Sequence, residues 1–309
     1  MEKKFKILTL DGGGAKGIYS LGILHEIEAK LKPPLADHFD LFYGTSTGAI
    51  IAISLAKGKT VEYIKNLYLE KIPSVMGKLF PAQRTKALNA ILLDEFKSDT
   101  FDSLKRPIGV VATSLDERKV KIFKSSSTMA QGRKESFKPA WGFSIVDSLM
   151  ASCAATPFFK QAQLVNDKEG INFSLIDGGF AANNPTLFAL IDALRALKKQ
   201  KDDLLVLNVG TGDFPYRLSP QIICSGCAHF FSRNLISEIL DVSSNTTGVI
   251  TQYLLEDIKI LRISDSFTQP SLKTNLLEND KVKLAKLFDQ GKVSFGRVEA
   301  EFNKLFLGE

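Results

Sequence analysis

Short apolar runs alternate with helix-spaced apolar faces along the first two thirds of the chain. Phe5–Leu10 reads as a short buried strand that runs directly into glycines at 12–14. Ile18, Leu21, Ile23, Leu24, Ile27 and Leu31 then recur at helical spacing, and Pro33-Pro34 stops that helix. Phe39–Tyr43 predicts a second strand, and a turn over Gly44–Gly48 leads into a helix ending near Ala56. Gly58 sits just beyond, where a left-handed cap residue is expected. Helices follow at 61–70 and 84–93. Strands are expected at Ile108–Thr113 and Val120–Phe123, with Asp116-Glu117-Arg118 turning between them.

Residues 124–138 are polar and read as a loop, with a mobile lid as the sharper alternative. Ser144–Ala155 is helical and ends at Pro157. Phe173–Ile176 is a strand leading into Asp177. Pro185 suits the first turn of a helix to about Leu197, with Lys198, Lys199 and Lys201 at its negative end. Leu204–Val209 is a strongly apolar strand. This alternation predicts an α/β fold: three layers, a mostly parallel central sheet with helices on both faces. The pattern weakens after Phe214, and residues 220–309 read as helices and loops. One domain over 1–309 is expected, with a core at about 5–212 and a helical C-terminal portion at about 213–309.

Composition narrows the function classes. The chain has 309 residues, 44% hydrophobic and 24% charged, ordinary values for a globular protein. Met1–Leu10 has no apolar stretch suited to a signal peptide. The most apolar stretch, Ala49–Ala56, is far shorter than the ~20 residues that span a bilayer. A cytoplasmic protein with peripheral membrane contact is the expectation. The net charge of +6 suits an anionic membrane surface. No nucleic-acid motif accompanies it, so no nucleic acid polymer is expected as a partner. Cys153, Cys224 and Cys227 are too few for a disulfide scaffold. Cys224-x-x-Cys227 lacks a second cysteine pair for zinc, so the expected metal count is none.

Three segments carry the chemistry. Gly44-Thr45-Ser46-Thr47-Gly48 fits G-x-S-x-G, a sharp strand-to-helix turn that projects a serine oxygen, with Gly44 and Gly48 allowing strand and helix to approach. A simple helix N-cap is the plain alternative for Ser46. Asp11-Gly12-Gly13-Gly14-Ala15-Lys16-Gly17 follows a strand and opens a helix. Its consecutive glycines can aim several N–H groups at one oxygen, with the Lys16 charge beside them. The same letters fit a nucleotide-binding G-x-G-x-x-G, which keeps a nucleotide- or phosphate-binding module as the alternative until Ser46 is weighed beside it. A serine also needs a proton acceptor. His25, His38 and His229 are the only histidines, and none follows an apolar strand into a loop. Asp177 does, followed by Gly178 and Gly179. Strand C-terminal ends gather at one rim of a parallel sheet, and Ser46, the glycine loop and Asp177 are all expected there. An Asp-Gly turn is the plain alternative for Asp177.

In this order the motifs D-G-G-G-x-[RK]-G, G-x-S-x-G and D-G-[GA] resemble those of the patatin-like phospholipases. Supporting stretches are Ala151–Phe159, Asn183-Asn184-Pro185 and Leu207–Gly212, so the resemblance spans about residues 5–212. It implies a Ser46–Asp177 dyad and an oxyanion hole from the backbone of Gly12–Gly14, with Lys16 where arginine is common. It also implies a central sheet of six or more strands and no metal, calcium or other cofactor. The implied substrates are acyl esters of glycerophospholipids, galactolipids or neutral glycerides. Compact bacterial members include effectors switched on by cyclic nucleotides in phage defence. A cyclic-nucleotide activator bound by the basic C-terminal portion therefore stands beside constitutive activity and activation by a protein partner. An oligomer stays open.

Overall fold

The computed structural model describes residues 4–132, 137–215 and 228–309, excluding the side chains of 228–234. In chain order the main elements are β1 (Phe5–Leu10), α1 (Gly17–Leu31), β2 (Leu41–Thr45), α2 (Thr47–Ala56), α3 (Val61–Met76) and α4 (Pro81–Phe96). β3 (Ile108–Ser114), β4 (Lys119–Lys124), α5 (Ile145–Ser152), β5 (Ala162–Asn166) and β6 (Ile171–Asp177) follow. The chain continues through α6 (Gly179–Ala182), α7 (Thr186–Ile191), β7 (Leu204–Val209), α8 (Ala228–Leu254), β8 (Lys259–Ile263) and α9 (Lys281–Phe302). The eight strands form one sheet. β3, β2, β1, β7 and β8 run parallel, with β8 at the edge, while β4 and β6 pair antiparallel with β3 and β5 pairs antiparallel with β6 at the other edge.

Alternation within each apolar run explains the layers. Leu8, Leu10, Phe42, Leu205 and Leu207 face one core with α1, α2 and α9. Ile7, Leu41, Tyr43, Leu204 and Val206 face the other with α7. Burial on both faces is why these strands read as continuous apolar runs.

Two strands contradict the expected layout. β8 pairs with β7, so the C-terminal portion is not only helices and loops. Lys259-Ile-Leu-Arg-Ile263 is short and follows a long helix, and its basic positions hide the strand signal. β5, Ala162–Asn166, was likewise unmarked because only Leu164 of its residues is buried. Within the polar stretch 124–138 the chain forms a short 3-10 turn at Ser127–Met129, and residues 133–136 lie outside the described ones.

β3 is the strand that positions the site. β4 occupies one whole edge of β3, from Gly109 to Ser114. The other edge is shared: β2 pairs with its first half, ending at Thr45 opposite Val111, and β6 takes the second half, beginning with Asp177 opposite Ala112. The end of β2 and the end of β6 therefore meet head to head.

α1 and α9 touch through glycines. A Cβ on Gly291 would lie 2.2 Å from the Tyr19 carbonyl oxygen, whereas one on Gly296, in the same helix, would meet nothing within 4 Å. Alanine is favoured over glycine in a helix by ~1 kcal/mol. Overpacking against rigid backbone costs about 1–3 kcal/mol. Gly296→Ala is therefore expected to raise the midpoint of urea unfolding, and Gly291→Ala to lower it. Equal effects from the two would contradict this contact.

Candidate active site

β2 is fully buried, and the chain turns at its end into α2. Ser46, at the turn, has φ 53° and ψ −121°. A non-glycine residue held there costs on the order of 1–3 kcal/mol, so the surroundings must fix it. They do. The Ser46 N–H donates to Ser152 Oγ at 2.8 Å, and Ser152 Oγ donates to the Val111 carbonyl at 2.5 Å. Close approach is the second requirement. A Cβ on Gly44 would lie 2.4 Å from the Gly48 carbonyl oxygen, and one on Gly48 would lie 2.3 Å from that of Leu10. Both positions need glycine for the elbow to sit between β2, α2 and β1.

Ser46 is no simple cap, since its side chain makes no capping bond to α2. Its Oγ–H instead donates to Asp177 Oδ2 at 2.6 Å. The Gly179 N–H donates to Asp177 Oδ1 at 2.7 Å, which leaves Oδ2 for the serine. The Asp177 N–H donates to the Ala154 carbonyl, and Thr113 Oγ1 donates to the Asp177 carbonyl. Gly178 lies against the Val111 carbonyl, at the junction of β2 and β6. The route of Asp177 to the rim differs from the expected one. β6 is antiparallel to β3, so Asp177 reaches Ser46 from beyond the end of β2 and not from a parallel neighbour.

Asp177 is 3% exposed. Burial pushes its carboxyl up to about 6, with the bonds from Ser46 and Gly179 pulling the other way. At neutral pH it is ionised yet more basic than an ordinary carboxylate. Burial also pushes the thiol of Cys153 up, so this neighbour in the cavity stays neutral.

The glycine loop closes the other side. The Gly12 N–H is taken by the Asn183 carbonyl at 3.0 Å, and the Ala15 N–H by that of Leu276 at 3.0 Å. The N–H groups of Gly13 and Gly14 have no partner among the described residues, and both residues line the cavity that holds Ser46 and Asp177. Lys16 stands elsewhere than expected. Its ammonium is buried and donates to both Asp241 carboxylate oxygens, at 2.9 and 3.0 Å, and to the Gly212 carbonyl. It is absent from the lining of the cavity.

That cavity is about 40 Å³ and mostly apolar, walled by Ile72 and Met76 of α3, Leu88 of α4, Phe158, Leu240 of α8 and Leu276. No histidine lines it among the described residues. His25 pairs with Glu26 on α1, His38 precedes β2 at the end opposite Ser46, and the side chain of His229 is outside the described residues. Cys224 and Cys227 also lie outside them.

Several residues at the site escaped sequence reasoning. Asp11 accepts from Asn208, from Ser244 of α8 and from Arg262 of β8. Asn183 Nδ2 donates to the carbonyls of Gly12 and Leu240. Tyr68 Oη lies 2.5 Å from Thr47 Oγ1, beside the nucleophile turn. Ser152 and Asn183 fall in stretches that carry the resemblance, which was the available signal. Arg262, Ser244 and Asp241 gave none, being distant in sequence from every motif. Chemically, a buried hydroxyl on a carboxylate beside unpartnered N–H groups is an arrangement for nucleophilic attack on a carbonyl.

Comparison with known proteins identifies the family. The sequence model of the family described as patatin-like phospholipase matches residues 8–190. The chain is 42% identical over 302 residues, 98% of its length and 94% of the other's, to a cUMP-AMP-activated phospholipase of Escherichia coli. It is 29% identical over 247 residues, 71% of its length and 65% of the other's, to a cGAMP-activated phospholipase of Escherichia coli strain TW11681. Among solved structures, VipD from Legionella pneumophila shares the fold, with a TM-score of 0.51 at 13% identity over 97% of this chain and 67% of that one. The chain belongs to the patatin-like phospholipases and is a lipid acyl hydrolase.

Proposed function

We propose that the protein releases fatty acids from glycerophospholipids and related glycerolipids, with Ser46 as nucleophile and Asp177 as general base. Ser46 Oγ attacks the acyl carbonyl while its proton passes to Asp177 Oδ2. The oxyanion rests on the N–H groups of Gly13 and Gly14. Loss of one such donor typically costs about 3 kcal/mol in the barrier. Collapse expels the glycerol oxygen, which takes the proton from Asp177. Water then attacks the acyl-enzyme, giving its proton to Asp177; collapse breaks the Ser46 Oγ–acyl bond, Oγ takes that proton back, and the fatty acid leaves. The observation that carries this reading is the 2.6 Å bond between two buried groups 131 positions apart in sequence.

Two features concern access. Leu79 and Phe80, 75% and 58% exposed, project with Lys78 from the turn between α3 and α4. The inner faces of these helices wall the cavity, so an anionic membrane surface fits this tip. Among the described residues no helix is long and apolar enough to cross a membrane; a cytoplasmic location with peripheral membrane contact is part of the proposal. Pockets for drug-sized ligands run to about 300–1,000 Å³. A cavity of about 40 Å³ is narrow by that measure. Relatives named as activated by cUMP-AMP and cGAMP support nucleotide gating of this narrow site. A gated lipase of this kind would degrade membranes on an infection signal, which suits bacterial phage defence.

Lipid profiling of products tests the reading. Wild type is expected to release fatty acid from phospholipid vesicles. Ser46→Ala and Asp177→Asn are each expected to lose about 10³-fold or more without unfolding. Near-normal turnover by Asp177→Asn would remove the dyad. Single replacement of His25, His38 or His229 should leave activity largely intact. The base works only when ionised, so kcat/KM should be level above pH 7. Below the Asp177 value of about 6 it should fall about tenfold per unit. A profile flat down to pH 4 would contradict Asp177 as base.

A further inference from the structure

Behind the glycine loop lies a second cavity, of about 170 Å³. Lys16 and Asp241 meet in it, and Phe214, Lys273, Asn275 and Lys283 complete the walls that matter here. It shares two partitions with the catalytic cavity. On α8, Leu240 faces the catalytic cavity and Asp241, the next residue, faces this one. In the loop between β8 and α9, Lys273–Asn275 border this cavity while Leu276 and Leu277 border the catalytic one. The Leu276 carbonyl also accepts the N–H of Ala15, in the glycine loop itself.

The Lys16–Asp241 pair is the latch between these parts. Both ends are largely buried, with side chains 4% and 17% exposed. Burial pushes the Asp241 carboxyl above its ordinary value, and Lys16 pulls it back down. Buried ion pairs of this kind roughly break even, because desolvation offsets their attraction. Breaking such a pair leaves the other charge buried and unpaired, so an entering anion must make more bonds to Lys16 than the carboxylate it replaces. A phosphate does, having additional acceptor oxygens for charge-assisted bonds. Glu238 and Glu278 also border the cavity, and Glu278 already pairs with Lys283. Asp241 is the carboxylate that holds the buried Lys16 ammonium.

We propose that this second cavity is the phosphate pocket of the activator site: one phosphodiester of a nucleotide enters it and takes Lys16 from Asp241 while the rest of the molecule stays outside it against Phe214, and α8 then withdraws Leu240 from the catalytic cavity. The proposal rests on the nucleotide-gated reading above and gives it a location. Displacing Leu240 and the neighbouring Leu276 enlarges a cavity now too small for an acyl chain. By linkage, opening and nucleotide binding favour each other by the same factor.

The test uses the full chain, with cUMP-AMP and cGAMP as probes and inorganic phosphate and glycerophosphoglycerol as controls. Binding is read by calorimetry, and fatty-acid release from vesicles of phosphatidylethanolamine and phosphatidylglycerol is read in parallel. For a cyclic dinucleotide that binds wild type, Lys273→Ala/Lys283→Ala should raise Kd and the half-activating concentration together, by tenfold or more. Asp241→Asn should raise release without nucleotide several-fold and tighten nucleotide binding. If wild type is activated while the double variant keeps its Kd and Asp241→Asn keeps wild-type release, the activator binds elsewhere and this site falls, with gating intact. If the controls bind as tightly as the dinucleotides, the cavity is a headgroup or free-phosphate site and the assignment is overturned. If neither dinucleotide binds wild type, gating by these nucleotides and this site fall together.

Discussion

The shared edge of β3 is the constraint on which the site depends. One strand edge serves two partners in succession, β2 running parallel and β6 running antiparallel. Their ends abut, so the turn after Thr45 and the last residue of β6 occupy one place. Ladder hydrogen bonds fix this juxtaposition before any side chain contributes. Ser152 reinforces it by bridging the Ser46 N–H to the Val111 carbonyl of β3. The unfavourable backbone angles of Ser46 persist because strand, helix and Ser152 hold the turn from three sides.

In the proposed mechanism, burial gives this junction its chemistry. A carboxylate in water is too weak a base to take a serine proton readily. Among apolar walls, with one oxygen held by Gly179, Asp177 becomes more basic while staying ionised at neutral pH. The same dryness requires that something close the site. α8 contributes Leu240 to the cavity wall, receives Asn183 on its backbone, pairs Asp241 with Lys16 and binds Asp11 through Ser244. Three of these contacts reach the glycine loop or the residues beside it. The wall of the cavity and the candidate oxyanion site are therefore mechanically one unit with α8.

Much of this was legible in the sequence. The strands at 5–10, 108–114 and 204–209 show as apolar runs because they are buried on both faces. The glycine loop, the Ser46 turn and the Asp177 turn show because each needs residue types that few other contexts require. Direction was not legible. Hydrophobic periodicity has the same period whichever way a strand runs, so the antiparallel entry of β6 could not be read. β5 and β8 were missed because edge and near-edge strands carry polar and basic residues that blunt the apolar signal. Lys16 was read from its motif neighbours, yet its partner Asp241 is 225 residues away, in a part of the chain that no motif marks.

The most direct measurement is the rate at which a fluorophosphonate probe modifies the protein, followed by peptide mass spectrometry across pH. The account predicts modification of the peptide containing Ser46, with a rate that rises through about pH 6 and is lost in Asp177→Asn. Modification of a different serine, or an Asp177→Asn protein labelled at the wild-type rate, would contradict it.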